Sequence, residues 1–134
     1  MHIRKILCAA LTTITVSACS VAPDFEAEKC KSVDYVKANI KQINGSEVSV
    51  CGFLKYGFEG KNLYHSASAA KQDSDRQCLS IGIGEGAVVD LSASSDRWVR
   101  INGFATADFC PKDTICSSSC SRVGVFAKNV APVQ

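Results

Sequence analysis

Alternation of apolar and polar positions dominates this chain. Between residues 47 and 66, Val48, Val50, Gly52 and Leu54 alternate with Ser49, Cys51, Phe53 and Lys55, the two-residue period of a half-buried strand. Gly52 removes a side chain from the middle of that strand, as expected where a strand coils sharply or another backbone comes close. Gly57 and Gly60 permit a turn, and a second strand follows over residues 62–66. Residues 78–84 predict a third strand with Leu79, Ile81 and Ile83 on one face, and residues 97–105 a fourth, with Val99 and Ile101 in phase ahead of Gly103. Residues 122–130 predict a fifth, in which Val123, Val125 and Ala127 face one way and Gly124, Phe126 and Lys128 the other. One segment has a different period: Val33, Val36, Ile40 and Ile43 recur at helical spacing. Ser32 is placed to cap that helix, Asp34 favours its positive end, and Asn44-Gly45 supplies the stop. Lys37 and Lys41 lie off the stripe and read as a solvated face.

The connections are longer than the strands. Residues 66–77 are polar and alanine-bearing and fit either a long loop or a short helical turn. Residues 85–96 make a poor helix with a small apolar patch at Val88, Val89 and Leu91, and residues 109–121 form a cysteine-bearing loop. An internal echo links the first and fourth strands. Val50-Cys51-Gly52-Phe53 matches Ile101-Asn102-Gly103-Phe104, and Phe58 falls in step with Phe109. Five strands are too few for a comfortable sandwich, and closure on themselves removes exposed edges. Over residues 32–130 the chain resembles bacterial OB-fold domains, on the SVDYVKANI helix, the glycine-centred VSVCGF first strand and the VRINGF fourth strand. The resemblance implies a mainly β domain: a five-stranded OB-like barrel with one N-terminal α-helix. Residues 85–96 depart from the family pattern, which carries a helix between the third and fourth strands.

The ends change the picture. Residues 1–18 combine a short basic start (Arg4, Lys5), an apolar run over 6–16 and the small residues Ser17 and Ala18, which reads as an export signal. The run is too short to span a bilayer as a helix of roughly 20 residues. Val16-Ser17-Ala18-Cys19 resembles the lipobox of bacterial lipoproteins. That resemblance implies cleavage before Cys19, lipid on its sulfur and acylation of the new amino terminus; Ser20, rather than Asp, resembles the pattern sent to the outer membrane. Each buried chain methylene contributes about 0.8 kcal/mol, so several acyl chains anchor durably. The expected organisation is a signal peptide over 1–18, a lipidated tether over 19–29 and the barrel over 30–134.

Loss of the signal removes Arg4 and Lys5 from 15 Lys and Arg, leaving 13 against 13 Asp and Glu. A neutral domain has no global field to draw in nucleic acid. Of eight cysteines, Cys8 leaves with the signal and Cys19 carries lipid. Cys30, Cys51, Cys78, Cys110, Cys116 and Cys120 remain, a disulfide framework in an exported chain. OB connectivity sets the third and fifth strands parallel and adjacent. It thereby implies Cys78–Cys120, with Cys110–Cys116 closing its own loop and Cys30 stapled to Cys51, whose side chain points away from the barrel interior.

Catalytic constellations are sparse. Cys110, Cys116 and Cys120 lack zinc-knuckle spacing and a fourth ligand, and Cys116 and Cys120 lack the Cys-x-x-Cys redox spacing. His65 and Ser66 are chain neighbours, which point to opposite faces of a strand and make no nucleophile–base pair. Glu59, Asp73, Asp75 and Glu85 lie in polar loops, and Gly82-x-Gly84-x-Gly86 ends a strand without opening a helix. The chain is therefore expected to bind rather than catalyse, with no metal, no cofactor beyond the lipid and no nucleic acid. Tyr56, Phe58 and Tyr64 from the first hairpin, Trp98, Arg100 and Phe104 from the fourth strand, and Arg122 form the candidate binding face. The expected function is a periplasm-facing, outer-membrane-anchored module for another envelope protein. The alternatives are an inhibitor or immunity protein against a hydrolase or toxin, and a glycan- or peptidoglycan-binding accessory.

Overall fold

The computed structural model describes residue 25 and residues 28–57, 60–72, 77–110 and 120–133. The protein is mainly β. Among the described residues six strands form one sheet: β1 (Lys31–Ser32), β2 (Glu47–Gly57), β3 (Gly60–Tyr64), β4 (Cys78–Ile83), β5 (Arg97–Thr106) and β6 (Gly124–Pro132). Three short helices accompany them: α1 (Val33–Ala38), α2 (Ile40–Ile43) and α3 (Ala67–Gln72). The sheet order is β1-β2-β3-β4-β6-β5, and β5 also pairs with β2, so the sheet returns on itself. The pairing of β4 with β6 is parallel, and Ser80, Ile81, Gly82 and Ile83 lie beside Gly124, Val125, Phe126 and Ala127. The β2, β3, β5 and β6 neighbours pair antiparallel.

The sixth strand and the extra helices correct the expectation of five strands and one helix, and each has a local cause. Lys31 and Ser32 pair in parallel with Val50 and Cys51 because the Cys30–Cys51 disulfide holds them there. The N-terminal helix starts where Ser32 Oγ accepts the Tyr35 N–H at 3.0 Å. It breaks at Asn39, whose backbone N–H (3.0 Å) and side-chain amide (2.9 Å) both donate to the Tyr35 carbonyl. Asparagine competes in this way with a continuing helix. Residues 66–77 begin with α3, capped by Ser66 Oγ on the Ala69 N–H at 3.0 Å. The connection over 85–96 holds a single 3-10 turn, Ser92–Ser94. Strand ends shift by a few residues: the second strand ends at Tyr64, and the last starts at Gly124 rather than Arg122.

The core fills the ring. Val50 and Leu54 of β2, Leu63 of β3, Leu79 and Ile81 of β4, Val99 and Ile101 of β5, and Val125 and Ala127 of β6 are all buried together. Val33 and Val36 of α1 enter this cluster from the helical side, and Leu91 enters from the 85–96 connection. These two segments meet opposite ends of β2. Gly45 donates to the Ala105 carbonyl beside its start, and Asp96 donates to the Leu54 carbonyl near its finish. A second small cluster lies outside the ring, where Ala69 and Ala70 of α3 cover Tyr64 and Cys78.

The sequence echo has a structural centre. Val50 pairs directly with Ile101, Val48 with Gly103 and Gly52 with Val99. Both glycines sit where a Cβ has no room. At Gly52 it would come within 2.7 Å of Leu63 Cγ and 2.8 Å of the Tyr64 carbonyl, and at Gly103 it would overlap the Phe126 carbonyl. The bulge between Asn102 and Gly103 in the β5–β6 ladder marks that close approach.

Candidate binding surface

Because β5 alternates, Val99, Ile101, Gly103 and Ala105 are buried, and Trp98, Arg100, Asn102 and Phe104 stand on the outside of the sheet. Cross-strand register carries this outer face onto β2 and β6. Trp98 lies beside Phe53, Arg100 beside Cys51, Asn102 between Ser49 and Asn129, and Phe104 between Glu47 and Phe126. The face has two ends with different fates.

At the Trp98 end the chain covers itself. Phe25 packs on Trp98 with ring centroids 5.6 Å apart, and Phe53 meets the same indole edge-on at 5.9 Å. Arg100 reaches the Glu28 carboxylate at 3.7 Å and donates to the Glu28 carbonyl at 3.4 Å. The Cys30–Cys51 disulfide closes this clasp. Trp98 and Arg100 thus face their own N-terminal segment. Tyr64 is 1% exposed, packed under α3, which removes it from any free surface. Tyr56 stands apart at the β2–β3 hairpin, with Lys61 Nζ 5.9 Å from its ring. Phe58 lies outside the described residues. The sequence-selected residues are therefore spread over separate surfaces: Trp98 and Arg100 share the covered end of the outer face, and Phe104 and Arg122 flank the open one.

The other end is open. Phe104 is 42% exposed and Phe126, on the neighbouring strand, 36%. Phe109 stacks on Phe126 with centroids 5.3 Å apart and planes 22° from parallel. Its ring lies over a floor made by two glycines. A Cβ at Gly124 would fall 2.5 Å from Phe109 Cδ2, and one at Gly82 3.1 Å from Phe109 Cε2. Lys128 Nζ sits 5.5 Å from the Phe104 ring and pairs with Glu47 at 2.8 Å. Arg122 pairs with Asp108 at 3.0 Å beyond Phe109, whose N–H donates to the Arg122 carbonyl. In the next row Asn102 donates to Asn129 at 2.8 Å. Three phenylalanines thus form a row bounded by two paired, exposed ion pairs. Phe126 and Lys128 were legible as the outward phase of the last strand; Phe109 was visible only as the partner of Phe58 in the echo.

Two disulfides join described residues, Cys30–Cys51 and Cys78–Cys120, the pairs that OB connectivity implies. Cys110 is also disulfide-bonded, and the Cys110–Cys116 pairing lies outside the described residues, as do Cys19 and Ser20. His65 Nδ1 meets the Asp34 carboxylate at 2.9 Å on the surface and ties β3 to α1. Among the described residues no group of three His, Cys, Asp or Glu side chains comes together as metal ligands. Among them no helix is long and apolar enough to cross a membrane.

No protein-family model matches this chain, and no curated protein matches it. Among solved structures it is similar to the asparaginyl-tRNA synthetase from Pyrococcus horikoshii, at 11% identity and a TM-score of 0.47 over 79% of this chain and 23% of that one. The chain spans less than a quarter of that enzyme's length, and a likeness of this depth carries nothing about activity.

Proposed function

We propose that this chain is an outer-membrane lipoprotein, anchored through lipid on Cys19 and sorted by Ser20, that faces the periplasm as a non-catalytic protein-binding module. In this reading the closed ring is an OB-type barrel: β2, β3, β4, β6 and β5 follow one another in that fold's circular order, with its parallel third-to-fifth pairing. One observation carries the functional part. Phe104, Phe126 and Phe109 crowd onto an open sheet face, while Trp98 and Phe53 of that face are partly covered by the chain's own N-terminal segment and by each other. Contiguous exposed aromatics of this kind are what protein-binding hot spots use. The charges around them are already paired, so the row offers apolar contact with a polar rim rather than a field for nucleic acid.

Two experiments test this reading. A photoreactive phenylalanine analogue at position 104 of the full chain, irradiated in intact cells, should yield a protein adduct that the same group at fully exposed Val88 does not. Recovery of glycan alone would contradict it, and the identity of a captured protein, hydrolase or toxin against envelope component, separates inhibition from assembly. Cys19→Ala should leave an unprocessed precursor or a soluble protein; an unchanged membrane fraction would contradict the anchor.

A further inference from the structure

The cover over the Trp98 end of the outer face is weakly held. Upstream of the Cys30–Cys51 bond it rests on the Phe25 ring against Trp98 and on Glu28 against Arg100. The Arg100 contacts are long, 3.7 Å to the carboxylate and 3.4 Å to the carbonyl, and partly exposed. The Cys30 N–H donates back to the Phe25 carbonyl at 3.2 Å, and pairing with β2 begins only at Lys31. Among the described residues, therefore, the chain ahead of Lys31 makes no backbone bond to the sheet. Between the two contacts and the disulfide stands Lys29, whose φ of 55° lies in the left-handed region that residues with side chains rarely adopt. The covering position thus carries backbone strain at its hinge. We propose that this segment is an autoinhibitory strap, which closes on Trp98 and Arg100 when the chain is alone and lifts when the partner binds. The proposal rests on the reading of the outer face as a protein-binding surface and assigns its regulation.

Lifting the strap makes the face continuous. Trp98, Arg100, Asn102 and Phe104 are successive outward residues of β5, so one file then runs from Phe53 and Trp98 to Phe104 and Phe126. A partner opens the strap only by binding the open state better than the closed one. The strap's own contacts define what that partner brings: an aromatic ring for Trp98 and a carboxylate for Arg100, in the places of Phe25 and Glu28. The partner that fits is a protein segment carrying an aromatic and an acidic side chain. Lys29 sets the balance, because closure needs its left-handed backbone and the open strap does not.

The test varies Lys29, which is exposed. Lys29→Gly accepts the left-handed backbone freely, and Lys29→Val resists it. In the purified full chain, acrylamide quenching of Trp98, the one tryptophan, should rise about threefold in Lys29→Val and stay at or below the wild-type level in Lys29→Gly. In intact cells, a photoreactive phenylalanine analogue at position 53 should capture about fivefold more protein in Lys29→Val than in Lys29→Gly, while the same group at position 104 captures protein in both. Arg100→Glu should also unmask Trp98 yet leave capture from position 53 low, since it repels an acidic partner. A far-ultraviolet circular dichroism spectrum shared by all variants shows that each is folded. Equal quenching in the two Lys29 variants overturns the strap. Capture from position 104, with capture from position 53 indifferent to Lys29, also overturns it and leaves the protein-binding reading standing. Capture from position 53 that rises in Arg100→Glu overturns the acidic partner, and no protein adduct at either position overturns strap and reading together.

Discussion

Gly103 bears more on the surface than its missing side chain suggests. A Cβ there would overlap the Phe126 carbonyl, at the bulge where β5 and β6 run closest. Gly103→Ala therefore forces apart the strand that carries Phe126. A cost on the order of 2 kcal/mol or more is expected, read as a lower midpoint in chemical denaturation; an unchanged midpoint would contradict the close approach. In the sequence this glycine stands only as the echo of Gly52, and the neighbouring backbone it must admit comes from residue 126 and is invisible to local pattern. Asp90 supplies a pH dependence. Its carboxylate accepts from Ser92 Oγ at 2.6 Å, from the Ala93 N–H and from the Ser92 N–H, and these bonds hold its pKa below the ordinary aspartate value. A lowered value means the stabilisation is present above the unfolded pKa and is lost as pH falls through the folded one. The turn after Leu91 should loosen in acid while the strands persist, seen as an amide shift at Ser92 and Ala93 ahead of any global transition. A simultaneous change across the sheet would contradict it.

The clasp is the element with the clearest role. β1, the Cys30–Cys51 bond, Glu28 on Arg100 and Phe25 on Trp98 together lay the N-terminal segment across one end of the outer face. Replacing both Cys30 and Cys51 by Ala removes a cross-link spanning 21 residues, worth about 3 kcal/mol. The chain's single tryptophan reports on it directly: Trp98 emission should move to the red as Phe25 and Glu28 release that face. Unchanged emission would mean the segment stays in place without the bond. How much of this was legible depends on periodicity. The long strands and the Val33–Val36 stripe were, because their apolar phase repeats. A two-residue strand has no period, and β1 exists because a disulfide delivers it. Ser66 and the alanines of α3 suit loop and helix alike, and burial of Ala69 and Ala70 on Tyr64 decides for the helix. The same packing explains why Tyr64 looked like a rim aromatic in the sequence and is not one.

At the scale of the molecule, the outer face has one end covered by the N-terminal segment and another end where Phe104 and Phe126 are exposed. Phe25 touches Trp98, and Phe104 lies six residues further along β5, a span of about 20 Å. Under the proposed lipid anchor, the tether approaches one end of the outer face and the phenylalanine row stands at the other. Ring closure was foreshadowed by the echo, since Val50 and Ile101, its two equivalent positions, are direct partners. The row was only half visible, because a site assembled from β5, β6 and the residue before Cys110 depends on which strands become neighbours. The central claim is that this row binds protein. It is tested most directly by combining Phe104→Ser with Phe126→Ser in the full chain, crosslinking in intact cells and quantifying the protein captured with it. Both rings are partly exposed, so the variant should keep the wild-type Trp98 emission and nearly its thermal midpoint. Capture should fall by about tenfold or more, the loss expected when two hot-spot aromatics are truncated. Undiminished capture by the folded variant would contradict the account.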